Sequence, residues 1–107
     1  MEERMSAEKL ERDGKVAVLV SKDYGAGWST WNQGMDLVFN KRIALAVLGE
    51  SGESAEEAAK AEYPDAYYGG VSDLIVEWVT KGIRFEIQEY DGAESLRVFG
   101  PDDGYVA

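Results

Sequence analysis

Residues 16–20, VAVLV, form an unbroken apolar run that is mostly β-branched. Strands with one wet face alternate apolar and polar side chains. A short run that is apolar at every position predicts a strand covered on both faces. Such a strand needs a layer of structure on each side, so it is expected at the centre of the fold. The segment that follows has a different chemistry: Tyr24, Gly25, Ala26, Gly27, Trp28, Ser29, Thr30, Trp31 and Asn32. Two glycines permit unusual backbone angles and close approach to another group. Three large aromatics and three small polar side chains crowd the same turn, more than a simple reversal of direction requires.

The 107 residues fit one domain, and 45% hydrophobic content suffices for one modest core. No run approaches the roughly 20 apolar residues needed to span a bilayer. Residues 1–13 are charged and carry no apolar signal region. Cysteine and histidine are both absent. Disulfides, thiolate metal sites, a Ser-His-Asp triad, a Cys-His dyad and a histidine zinc site are therefore excluded. An enzyme of this composition would have to work with carboxylates, Tyr, Lys or Arg. The net charge of −10, from 21 acidic and 11 basic residues, disfavours direct binding to a nucleic-acid backbone, which Lys and Arg drive by displacing counterions. It fits a soluble surface, or one directed at a basic partner.

In chain order, residues 1–14 are expected as a mobile arm and residues 15–21 as the first strand. Residues 35–49 are expected as a helix capped at Asn40, with Ile43, Ala46 and Val47 on one face and Gly49 as its stop. Leu37, Val38 and Phe39 are expected to pack on the core. Ser54 with Glu57 is a capping box opening an alanine-rich helix that Pro64 ends. Residues 71–79 and 83–90 are expected as strands, the latter with Ile83, Phe85 and Ile87 facing one way and Arg84, Glu86 and Gln88 the other. Asp91-Gly92 signals a tight hairpin into a strand over 95–99. Residues 100–107 are expected as a polar tail. The fold class is thus α+β: a mixed four-stranded sheet in the order β-α-α-β-β-β, with helices packed on one face, residues 15–107 forming a single domain. The first strand and the strand from Val71, joined through helices, are expected to lie parallel.

The expected ligand-binding set is Tyr24, Gly25, Gly27, Trp28, Ser29, Thr30, Trp31, Asn32 and Arg84. The aromatics would stack on a planar ring and the amides around the glycines would cradle an anion, with Arg84 pairing a phosphate or carboxylate. Lys41 and Arg42 are similar candidates. The spacing fits neither a Walker loop nor a dinucleotide fingerprint. Trp28 and Trp31 as core pillars are the opposing reading. Glu86, Glu89, Asp91 and Glu94 surround the hairpin, where acids serve solubility and turn formation, or general acid–base work and cation binding. Tyr67, Tyr68, Gly69 and Gly70 form a second aromatic-glycine turn. A parallel arrangement would place it at the far end of the sheet from the first.

Three pieces, YGAGWSTWN at 24–32, FNKRIALAVL at 39–48 and IRFEIQEYDGAESL at 83–96, together resemble a widespread set of small proteins in tailed-bacteriophage genomes. In that set the last motif usually contains EYDGSE, where this chain has Ala93 in place of the serine. The resemblance covers about two-thirds of the chain. It implies residence in the host bacterial cytoplasm and membership among small phage proteins that include host-defence antagonists. Some of those are homo-oligomeric sponges that sequester nucleotide-derived immune signals, such as cyclic nucleotides or cyclic ADP-ribose relatives, without cleaving them. The expectation is therefore a non-enzymatic binder of a nucleotide-like small molecule, with no cofactor, no metal and no membrane or direct nucleic-acid partner. The alternatives are an acidic antagonist that binds a host defence protein, and a carboxylate-dependent nucleotide-processing enzyme using Glu89 or Asp91.

Overall fold

The computed structural model describes residues 9–22, 27–28, 30, 37–66, 68, 70–90, 93–98 and 105–107. The strands are β1 (Glu11–Arg12), β2 (Lys15–Ser21), β3 (Leu74–Thr80), β4 (Arg84–Tyr90), β5 (Ala93–Val98) and β6 (Tyr105–Val106); the helices α1 (Lys41–Val47) and α2 (Ala55–Glu62) lie between β2 and β3. They make two three-stranded sheets, sheet A in the order β1-β2-β3 and sheet B in the order β5-β4-β6. The class is α+β, but the single four-stranded sheet is replaced by these two. Among the described residues every strand pair is antiparallel, including β2 with β3, where parallel pairing was expected.

β2 is covered on both faces, as its uniform apolarity requires. Ala17 and Leu19 face a cluster built from α1, α2, Trp28, Leu37, Val71 and Leu74. Val16, Val18 and Val20 face a second cluster with Val38, Phe39, Val79 and Phe85, against which Ile87 and Leu96 of sheet B pack. The order of layers is helices, sheet A, sheet B. Val16, Val18, Leu19 and Val20 are all 0% exposed, and each such side chain contributes about 1.5–3 kcal/mol of burial free energy. Phe39 lies edge-on to both Phe85 and Tyr105, at 5.9 Å in each case, and these two stack at 5.3 Å, which ties the 37–39 turn and β6 into the inter-sheet core.

The edge of β2 beyond β1 accounts for its backbone donors one by one. Successive odd N–H groups point to this edge. Ala17 donates to the Leu10 carbonyl and Leu19 to the Val38 carbonyl, each at 2.9 Å, and Ser21 donates to the Glu94 side chain at 3.0 Å. A buried strand leaves no donor unpaired, and here the third partner is a carboxylate.

The helix signals hold closely. Asn40 caps α1 by accepting from the Ile43 N–H at 2.9 Å, and Gly49 follows with φ 76°. The Ser54–Glu57 capping box is present in both directions. The helix expected from residue 35 begins at Lys41, because Leu37–Phe39 are spent on the two cores. The Val71 strand begins at Leu74, after a 3-10 turn over Val71–Asp73. The described parts of the segments expected as arm and tail, 9–14 and 105–107, join the sheets; residues 1–8 and 100–104 lie outside the described residues. Leu10 is buried and β1 pairs with β2, while β6 pairs with β4 and Ala107 is buried. Asp91 and Gly92 lie outside the described residues; Tyr90 pairs with Ala93 on either side of them.

Candidate functional site

Antiparallel pairing decides which segments meet. Ser21, the last residue of β2, is opposite Leu74, the first of β3. The turn that precedes β3 therefore lies at the same end of sheet A as the loop that leaves β2. This corrects the expectation that the two aromatic-glycine turns sit at opposite ends. Trp28 and Tyr68 belong to one apolar cluster, and Trp28 meets Tyr63 edge to face at 6.4 Å and 73°. Tyr68 donates its hydroxyl to the Tyr63 carbonyl, and the Lys60 ammonium stands 5.8 Å from the Tyr68 ring.

A third segment reaches the same place from sheet B. Glu94 is opposite Glu89 in the β4–β5 ladder, in line with Ile87 and Leu96 on the face that packs against sheet A. Its side chain is 2% exposed. One carboxylate oxygen accepts the Ser21 N–H at 3.0 Å. The other accepts the Trp28 N–H at 2.7 Å, the Thr30 N–H at 3.0 Å and the Thr30 hydroxyl at 2.6 Å. A carboxylate is an acceptor only, so four converging donors match its chemistry, and such charge-assisted bonds are the strong ones. Without them a buried charge would carry an uncompensated desolvation cost of several kcal/mol.

The amides of Trp28 and Thr30 do receive an anion, and it is the protein's own. The amides of Trp28 and Thr30 are engaged by Glu94 and cannot also receive a phosphate. Trp28 is 0% exposed. Its ring is a core pillar and presents no face for a guest to stack on. Gly27 is buried beside it. Tyr24, Gly25, Ser29, Trp31 and Asn32 lie outside the described residues. Arg84 is not brought to Glu94 and the described residues bonded to it. It begins β4, five residues from the position opposite Glu94, roughly 17 Å along a strand. It also sits on the alternate face, away from sheet A. Among the described residues it has no ion-pair partner.

Arg42 is not a free anion receptor either. Its guanidinium makes two bonds to Glu53, at 2.8 and 3.0 Å, and a longer one to Glu62 at 3.4 Å. The bonds to Glu53 hold the guanidinium pKa above its ordinary value, against the opposing effect of desolvation, and hold the Glu53 carboxyl below its own. Asn40 donates to Glu62 at 3.0 Å and to the Tyr63 hydroxyl at 3.2 Å, so the α1 cap grips the end of α2 beneath Trp28. Among the described residues no group of three or more acids is placed to hold a metal ion, and no helix is long and apolar enough to cross a membrane.

Glu94 is the residue that sequence reasoning undervalued. It looks like one of four solubilising acids around a hairpin. Its alternation with Leu96 was the available signal, since that places it on the inward face, where an acid needs donors. Trp28 and Thr30 of the first motif and Glu94 at the end of the EYDGAE segment belong to one hydrogen-bonded unit. Comparison of the chain with protein-family models, curated proteins and solved structures found no match.

Proposed function

We propose that this chain is a non-enzymatic binding protein that captures a nucleotide-derived small molecule, of the cyclic nucleotide or cyclic ADP-ribose kind, and holds it uncleaved. The site is the end of sheet A where the loop over 22–36 leaves β2. One observation carries this reading: described residues of three segments distant in sequence meet at one end of the sheet, Ser21, Trp28 and Thr30 bonded to the buried Glu94 of β5 and Tyr63 in edge contact with the Trp28 ring. Binding sites need rigid support beneath the residues that touch the guest, and Glu94 with Trp28 supplies it. Stacking falls to the remaining aromatics of the loop, Tyr24 and Trp31. The anionic end of the guest turns outward, away from Glu94. The phage resemblance supplies the setting, a homo-oligomeric sponge in the host bacterial cytoplasm. Calorimetric titration with cyclic nucleotides and cyclic ADP-ribose variants is the test. Saturable binding, weakened in Tyr24→Ala and Trp31→Ala, with the ligand recovered intact after denaturation, supports the reading. Folded protein that binds none of them removes it.

The second reading is an acidic antagonist of a basic site on a host defence protein. It is favoured by the internal use of the cations: Arg12, Lys22, Arg42, Lys60 and Lys81 are each paired with a glutamate. A protein partner captured from bacterial lysate and lost at high salt favours this reading over the first.

A further inference from the structure

We infer that the outer edge of β3 is the contact through which two copies of this chain pair, strand to strand and antiparallel, joining their A sheets into one continuous sheet. The inference goes beyond the binding reading and does not depend on it. β3 is the last strand of sheet A, so one of its edges faces away from β2. The ladder fixes which groups that edge carries. Ala17, Leu19 and Ser21 direct their N–H groups away from β3. Val16, Val18 and Val20 therefore exchange bonds with Val79, Glu77 and Ile75 opposite them. The Lys81 N–H continues this series to the Gly14 carbonyl at 2.9 Å. Leu74, Val76, Trp78 and Thr80 are left with their backbone groups turned outward. The Val71 carbonyl takes the Leu74 N–H, and the Ile83 N–H takes the Thr80 carbonyl. Among the described residues nothing takes the rest: the Leu74 carbonyl, both groups of Val76 and of Trp78, and the Thr80 N–H.

Such an edge is a template for another strand, and proteins commonly blunt it with proline or lysine. β3 reads LIVEWVT and has neither. Its outward groups match a second copy of themselves. With Val76 opposite the second copy's Trp78 and Leu74 opposite its Thr80, every one of these groups gains a partner. The two groups already held in turns, the Leu74 N–H and the Thr80 carbonyl, are the ones that would have faced each other. The same register sets Ile75, 39% exposed, opposite the second copy's Val79, and places a β-branched side chain beside each Trp78. It also sets Glu77 opposite the second copy's Glu77. Like charges so opposed weaken a pair, and each carboxylate stands 3.7 Å from its own Lys22. A two-fold contact of this kind uses the same surface on both chains and closes at two.

Sedimentation velocity from micromolar to millimolar protein, on wild type, Val76→Pro, Ile75→Glu and Glu77→Gln, tests this. Wild type is expected to pass from monomer to dimer and no further. Val76→Pro removes an outward N–H that the monomer's own ladder does not use, and should raise the dimer dissociation constant by about tenfold or more. Ile75→Glu, at an exposed site, should weaken the dimer by adding charge beside Glu77, and Glu77→Gln should tighten it. Amide exchange reads the same contact in wild type: the N–H groups of Val76, Trp78 and Thr80 should gain protection as concentration rises, while those of Ile75, Glu77 and Val79 are protected throughout. If Val76→Pro fails to fold, Ile75→Glu and the exchange data carry the test. A wild type that stays monomeric over this range overturns the inference and gives Glu77 the role of keeping the edge unpaired. A dimer left unchanged by Val76→Pro and Ile75→Glu, or one that forms without protecting the outward amides, overturns it as well.

Discussion

The N–H of Trp28 donates to the Glu94 carboxylate at 2.7 Å across 66 residues of sequence. The contact ties the loop leaving the central strand to a strand of the other sheet. Trp28 thereby has two tasks: its backbone feeds a buried charge, and its ring fills the core against Tyr63. Neither task leaves the indole for a ligand. An aromatic-glycine loop is commonly taken for a stacking platform, and here one of its two indoles, that of Trp28, is part of the core.

Trp28→Ala is accordingly expected to act on stability. The ring is fully buried, and truncating a buried Trp to Ala costs about 3–5 kcal/mol through lost burial and a cavity. Denaturant titration followed by circular dichroism measures it. A cost under about 1 kcal/mol would contradict the core assignment, because exposed sites away from special features fall within that range.

The two helix caps should differ. Ser54→Ala removes an exposed capping box and is expected to cost about 1 kcal/mol. Asn40→Ala removes the α1 cap together with both bonds to the end of α2, at a site 7% exposed. Its cost should lie at or above the upper end of the capping range, about 2 kcal/mol. Equal losses in the two variants would mean that the bonds to Glu62 and Tyr63 contribute nothing.

Local rules made the helices legible: a capping asparagine, a capping box, a stopping glycine. The two-faced burial of β2 was legible too, because five consecutive apolar side chains on a strand place apolar surface on both of its faces. The short outer strands β1 and β6 were not, since Leu10 and Tyr105 sit in polar surroundings and are recruited only by partners distant in sequence. The direction of β3 against β2 was illegible for a related reason. A connection through two helices permits either sense, and the choice reverses which turns become neighbours. For the candidate site the residue that bonds Trp28 and Thr30 was not legible. Arg84 was favoured as a cation on an acidic chain, whereas Glu94 was hidden among acids of ordinary surface appearance.

Acidification should expose the surface ion pairs. Hydrogen bonds from Arg42 to Glu53 and from Arg12 to Glu50 hold both carboxyls below the ordinary value of 4.5. A carboxyl depressed in the folded state contributes stability that is full above its unfolded value and is lost as pH falls through its folded value. Wild type should therefore lose stability below about pH 4.5 more steeply than Arg42→Met, with the two curves parallel near pH 7. Both pairs are exposed, so the difference should be small and should shrink further in high salt. Midpoints of urea unfolding between pH 3 and 7 check this, and a steeper acid loss in Arg42→Met would reverse the assignment.

Glu94→Ala offers the most discriminating stability measurement. It deletes an acceptor of four hydrogen bonds at a buried site, and removal of one partner from a buried charged network costs about 3–5 kcal/mol. The donors from Ser21, Trp28 and Thr30 would then converge on a vacated volume the size of a small carboxylate. Millimolar acetate is expected to raise the melting temperature of Glu94→Ala while leaving wild type unmoved, because mass action favours whatever binds the folded state alone. Acetamide, nearly the same shape, brings donors where acceptors are needed and should restore less. Equal rescue by the two would show that filled volume, and not charge, is what the site requires. Rescue by acetate alone would show that an anion is what the loop, β2 and β5 are arranged around.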